Sequence, residues 1–218
     1  MSSMRNRLDE ALEEMNNNLI EMGTNAEISI ERAALALKNQ DMELAQSVEV
    51  YKKRVEEIAQ DIEYSAHNIL LLQQPVAQDM RFISAALRIV TDIERIATQT
   101  MNISEITMFL IGKTFIKSPE PIVDMAEKAI FMVHRAIDAF VTGDAGLAAV
   151  VIEYDDTVDD LFILVRDELI TMINEDKSNG EQAIDLIMIA KYLERIADHA
   201  VNISKWVIFS ISNYSEVK

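Results

Sequence analysis

Four acidic side chains hold the chemistry most readily read from this chain. Asp155 and Asp159 stand four residues apart, and further along Glu194 and Asp198 repeat that interval. A spacing of four stacks each pair on one face of a helix. Asp155 and Asp159 directly follow the apolar-stripe positions Tyr154 and Val158, Glu194 follows Leu193, and Asn202 extends the second row. Each row therefore lies on the edge of an apolar stripe. If the two helices pack antiparallel, the rows face each other across a half-buried seam. Carboxylates crowded there raise one another's pKa unless a cation or hydrogen-bond donors compensate. An all-oxygen ligand set suits iron, manganese, magnesium or calcium better than copper. Acidic residues are frequent enough that about six such pairs arise by chance, mostly on solvated faces. Arg195 also offers Asp198 an ordinary surface ion pair at i+3. The matching register of the two rows is what lifts this set above that background.

Six helices must position these rows. The first is predicted from Ser3 to Asn39, with Leu8, Leu12, Met15, Leu19, Met22 and Ala26 as its stripe. Asp41 is the expected N-cap of the second, which runs to about Leu72. Gln73-Gln74-Pro75 breaks it, and Pro75 is expected in the first turn of the third helix, which runs to Ile111. Gly112 to Ser118 reads as the linker. Pro119 and Pro121 flank the fourth helix, which ends at Thr142-Gly143. Asp144 caps the fifth, and the sixth follows a polar turn from Glu175 to Gly180. Short connections between long helices imply antiparallel neighbours. The fold class is all-α: six helices as two repeated antiparallel three-helix bundles, divided as 1–112 and 113–218. The stripes are too wide for one seam. Phe82, Met108, Phe109, Leu110, Trp206, Ile208 and Phe209 are surplus, expected between the bundles or at a dimer contact.

An internal repeat supports this division. Arg32, Ala33, Asp41, Leu44, Val48, Tyr51 and Val55 recur as Arg135, Ala136, Asp144, Leu147, Val151, Tyr154 and Val158, and Glu94-Arg95-Ile96-Ala97 recurs as Glu194-Arg195-Ile196-Ala197. Repeated residues share a structural task, and residues that differ mark divergence. Asn102 and Asn202 recur within helices, which suggests a shared hydrogen bond or a solvated amide. Arg95 and Arg195 recur too and are expected to brace a neighbouring helix. His199 points about 100° away from Asp198. His67 and His134 are read as structural, Asp79 and Arg81 as orienting the start of the third helix, and Asp156 and Asp160 as solvated.

Composition narrows the function. With 37 acidic residues against 20 Lys and Arg, the chain carries a formal charge of -17. Such a surface repels nucleic-acid phosphates and anionic lipid, so cations and basic protein surfaces are its natural partners. No apolar stretch approaches the roughly 20 residues of a transmembrane helix, and the N-terminal residues carry no signal-peptide pattern. A cytoplasmic protein without direct membrane insertion is expected. Cysteine is absent, and neither a nucleophile elbow nor a phosphate-cradling glycine loop occurs. A di-iron oxidase on a bundle would need Glu-x-x-His from two helices, which this sequence lacks. A non-enzymatic protein is therefore expected, with a metal-free scaffold, whose acid rows meet Arg and Lys of a partner, as an alternative to a metal site.

Leu193-Glu194-Arg195-Ile196-Ala197-Asp198-His199-Ala200-Val201-Asn202-Ile203 resembles the signature of the PhoU family of bacterial phosphate-uptake regulators. Val151 to Asp159 and Gln74 to Arg81 resemble two companion segments. The resemblance implies two three-helix bundles. It also implies a cluster of iron, or of manganese, zinc or magnesium, on acid-x-x-x-acid motifs, which in repeat two are Asp155, Asp159, Glu194 and Asp198. It further implies a signalling adaptor in negative control of phosphate uptake and phosphate-starvation signalling, through the ATPase of the phosphate ABC transporter and a sensor histidine kinase, with an adaptor for a different phosphate transporter as the alternative. A homodimer is expected, recruited by its partners to the inner face of the membrane. Repeat one departs from the pattern: Lys52 stands where Asp155 does, and Thr98 where Asp198 does, leaving Glu56 and Glu94. Lys52 is predicted to replace the metal charge there by pairing with Glu56 and reaching Glu94 across the seam.

Overall fold

The computed structural model describes residues 2–72 and 75–211. Six helices follow in order: α1 (Ser2–Asn39), α2 (Met42–Leu72), α3 (Ala77–Leu110), α4 (Glu120–Thr142), α5 (Ala145–Glu175) and α6 (Gly180–Ile211), with one 3₁₀ turn (Lys177–Asn179) before α6. Asp41 and Asp144 cap as expected: Asp41 Oδ1 accepts from the amides of Glu43 and Leu44, and Asp144 Oδ1 from that of Leu147. Each such cap contributes about 1 kcal/mol. The start of α3 differs from expectation. Pro75 lies outside the helix, and the Asp79 carboxylate reaches back to the Val76 amide at 3.0 Å. Gln73 and Gln74, and the expected continuation past Ile211, lie outside the described residues.

Helices α1, α2 and α3 pack on one another, as do α4, α5 and α6. Between the bundles α3 packs along α6 and α1 along α4, so equivalent helices meet in pairs. This is the pattern of an approximate two-fold, and it explains the width of the stripes. The second stripe of each helix covers its counterpart, and the buried side chains of both bundles form one continuous core. Phe82 stacks on Phe140 at 5.0 Å, and Leu110 is fully buried. Phe109 and Phe209 are exposed instead, the latter edge-on to Trp206.

The expected linker is pinned from both bundles. Gln40 bonds the Lys113 carbonyl at 2.7 Å and accepts from the Gly112 amide at 3.3 Å. Gln182 accepts from the Ile116 amide at 2.6 Å and donates to the Thr114 carbonyl at 3.1 Å. Gln40 occupies the place of Gly143 in the repeat, and both are left-handed, at φ 52° and 66°. The conformation costs a non-glycine residue about 1 kcal/mol, which the two side-chain bonds of Gln40 offset.

Candidate functional site

The carboxylate rows meet where α5 packs on α6. Their backbones stay helical because Val151, Val158 and Val165 on one side, and Leu193, Ile196 and Ala200 on the other, are buried in the core. Burying each large side chain supplies about 1.5–3 kcal/mol. The acids one position further round are carried to the rim of that contact. Asp155, Asp159 and Glu194 are half-buried, and Asp198 is exposed.

Burial, reinforced by Asp159, Asp198, Asp156 and Glu194, pushes the Asp155 carboxyl up to about 6. Asp159 is raised as well, by burial and then by Glu194, with the nearby Lys191 ammonium pulling the other way. Asp155 Oδ1 and Glu194 Oε2 are buried and accept no hydrogen bond. The other Glu194 oxygen holds Lys191 Nζ at 2.5 Å. Two buried acceptors without donors, in an all-oxygen set, fit a hard cation by chemistry. In the present rotamers no three His, Asp or Glu side chains among the described residues converge closely enough to enclose an ion.

Repeat one has taken another course. Lys52 bonds Glu56, as its i,i+4 spacing predicts. Burial raises the Glu94 carboxyl, Glu63 and Glu56 raise it further, and Arg95 and Lys52 lower it. Lys52 thus acts on Glu94 across the seam by Coulomb attraction, but the expected direct bond between them is absent among the described residues. Thr98 turns its hydroxyl back to the Glu94 carbonyl at 2.9 Å. Each seam therefore holds one ammonium, on α2 in repeat one and on α6 in repeat two.

Other expectations resolve individually. His199 turns from the acids and meets Asp92 of α3 at 2.9 Å, which ties α6 to the other bundle. His134 ties α4 to Glu27 of α1 at 3.2 Å, and His67 donates to the Glu63 carbonyl. Asp156 and Asp160 are exposed, as expected. The repeated Asn residues make no shared hydrogen bond among the described residues. The neighbouring Ser104 instead donates to the Ala45 carbonyl at 2.6 Å. Arg95 and Arg195 brace no helix by hydrogen bond or ion pair among the described residues. Arg195 lies over the Tyr192 ring, 5.9 Å from its centroid, and the expected Arg195–Asp198 pair does not form.

Fold and site define a class: all-helical tandem-repeat proteins that present carboxylates along a helix seam. The PhoU domain model matches residues 19–107 and again 122–207, once in each bundle. The chain is 32% identical over 202 residues to a phosphate-specific transport system accessory protein PhoU homolog of Clostridium acetobutylicum, covering 92% of each chain. It is 35% identical over 189 residues to one from Aquifex aeolicus, covering 87% of this chain and 86% of that one. The crystal structure of PhoU from Pseudomonas aeruginosa superposes with a TM-score of 0.88 at 31% identity, over 93% of this chain and 98% of that chain. The PhoU of Streptococcus pneumoniae, at 21% identity and a TM-score of 0.85, shares the fold. The chain belongs to the PhoU family.

Proposed function

We propose that this chain is a non-enzymatic negative regulator of phosphate uptake and phosphate-starvation signalling. It acts as an adaptor between the ATPase of a phosphate ABC transporter and a sensor histidine kinase, and works as a homodimer in the cytoplasm. The observation that supports this most is the double family match, joined to relatives named as accessory proteins of phosphate-specific transport over nearly their whole length. None of the described helices is long and apolar enough to cross a membrane, and a charge of -17 suits docking on basic protein surfaces. A pull-down from phosphate-replete cells, read by mass spectrometry, should recover the transporter ATPase and a histidine kinase. Recovery of unrelated partners alone would overturn the reading.

Asp155, Asp159, Glu194 and Asp198 are proposed to hold a hard divalent cation, with iron first and manganese, zinc or magnesium as substitutes. Bound there, the ion would supply the positive charge that lets all four carboxylates ionise together and would fasten α5 to α6. Lys191 must release Glu194 for that. The Lys191–Glu194 pair also favours a second reading, in which the acidic seam stays metal-free and receives Arg or Lys of a partner. Elemental analysis separates the two. Metal should load one seam per chain, and Lys52→Asp with Thr98→Asp should roughly double the metal content by restoring four acids in repeat one. No retained metal in either the wild type or the double variant would favour the metal-free reading.

A further inference from the structure

On a molecule this acidic, cations are scarce and mostly matched: Lys38 holds Glu120, Arg54 holds Glu21 and Lys128 holds Asp124. Like Arg81 and Lys177 elsewhere on the chain, Arg95, Arg195 and Lys205 are exceptions. None has a hydrogen bond or ion pair among the described residues, and all three line one cleft of about 460 Å³ between α3 and α6. The two-fold relation between the bundles causes this, because it brings the repeated arginines to the same opening. Arg88, outside that lining, places its guanidinium 5.6 Å from the centroid of Trp206, the residue after Lys205. Two amide side chains, Gln99 and Asn202, share the wall, and Gln99 Oε1 is buried with no donor. Asp155 and Asp198 reach the same cleft from the acidic seam, as does His199, which is held by Asp92.

Three unmatched cations and two amides form a receptor for an oxyanion. The two carboxylates in the wall select which one. They repel an anion that brings only lone pairs, and they accept a hydrogen bond from one that brings a proton. At neutral pH phosphate keeps a proton on oxygen and sulfate keeps none. We propose that in the metal-free chain the α3/α6 cleft binds protonated phosphate, with Arg95, Arg195 and Lys205 facing its charged oxygens and Asp155 or Asp198 accepting a hydrogen bond from its P–OH. Free phosphate keeps that proton throughout the neutral range, whereas a phosphate monoester, with its second pKa at about 6, is mostly a dianion without a P–OH at pH 7. The purpose of such binding rests on the regulatory reading above, whereas the chemistry of the cleft does not.

The test is calorimetric titration of the EDTA-treated full chain at pH 7 with inorganic phosphate, glycerol 3-phosphate and sulfate. Phosphate should bind with a Kd of about 1 mM or below, at least tenfold tighter than sulfate. Arg95→Gln and Arg195→Gln should each weaken it about tenfold. Asp155→Asn with Asp198→Asn should erase the preference over sulfate, since an amide can donate to either anion. Inorganic phosphate should also bind more tightly than glycerol 3-phosphate, which has mostly lost its P–OH at pH 7, and the reverse order would overturn the role of that proton. Circular dichroism confirms that each variant folds. Manganese retention by the arginine variants, measured separately, keeps this test independent of the metal reading. No phosphate binding, equal affinity for sulfate, or binding indifferent to both arginine changes would overturn the proposal.

Discussion

Manganese(II) at about 100 times its Kd should stabilise the chain by about 2.7 kcal/mol at pH 7.5. For a chain of this length, that corresponds to a rise in Tm of roughly 5–11 °C. EDTA should reverse it, and Asp155→Asn with Glu194→Gln should abolish it. The pH dependence follows from Asp155. Its carboxyl sits at about 6 in the folded chain against 3.8 for an ordinary aspartate. Between those values the folded state keeps a proton that the unfolded state has released. Stability of the metal-free chain therefore falls as pH rises from about 4 to about 6 and stays low above. Solvent screening at the seam rim limits this penalty to about 1–2 kcal/mol. The single change Asp155→Asn should thus stabilise the metal-free chain at pH 7, do nothing at pH 4, and weaken the manganese response. Below pH 6 the ion must displace the Asp155 proton, so the manganese effect on the wild type should fade there. Thermal melts at pH 4, 5, 6 and 7.5, with and without manganese, measure all of this. Equal manganese stabilisation of the double variant would sink the assignment.

The acidic rows were legible because a helix fixes where i and i+4 point, and because the apolar stripe marks which face meets a neighbour. Asp155, Asp159, Glu194 and Asp198 needed no more than that to be placed together. Lys191 was within reach of the same rule, since it lies three residues before Glu194 on the same face. The α3/α6 cleft was not. Stripe width showed that a second interface exists, but not which helices share it, and Arg95 and Arg195 meet only once α3 lies along α6. Lys52 shows the same boundary from the other side. Its partner within α2 followed from spacing, whereas its distance from Glu94 depends on how two helices are rotated against each other. Pro75 was placed in the first turn of α3, whereas it lies two residues before Ala77, because a first-turn proline and an N-flanking proline differ only in where the Asp79 carboxylate finds an amide.

Gly23→Val should lower stability by about 3 kcal/mol, a Tm drop of roughly 6–12 °C, and the loss should be felt in both bundles. Gly23 is buried inside α1, where glycine costs about 1 kcal/mol relative to alanine. A Cβ there would lie 2.1 Å from Ile137 Cδ1 of α4 and 3.3 Å from its Cγ1. The missing side chain is therefore what lets α1 approach α4 at the junction of the two repeats. Alanine asks only the tip of Ile137 to move, but valine adds two methyl groups that α1 cannot accommodate without parting from α4. Ile137→Ala alone opens a cavity and should itself cost about 2–4 kcal/mol. Combined with Gly23→Val, it should cost at least 1 kcal/mol less than the sum, because the new methyl groups enter the vacated volume. Trp206 is the single tryptophan and lies in α6, outside the repeat that is changed. With one core running through both bundles, its fluorescence should unfold at the same lowered midpoint as the far-ultraviolet circular dichroism. A Trp206 transition that keeps the wild-type midpoint would mean that the two repeats fold as separate units, joined without a shared core.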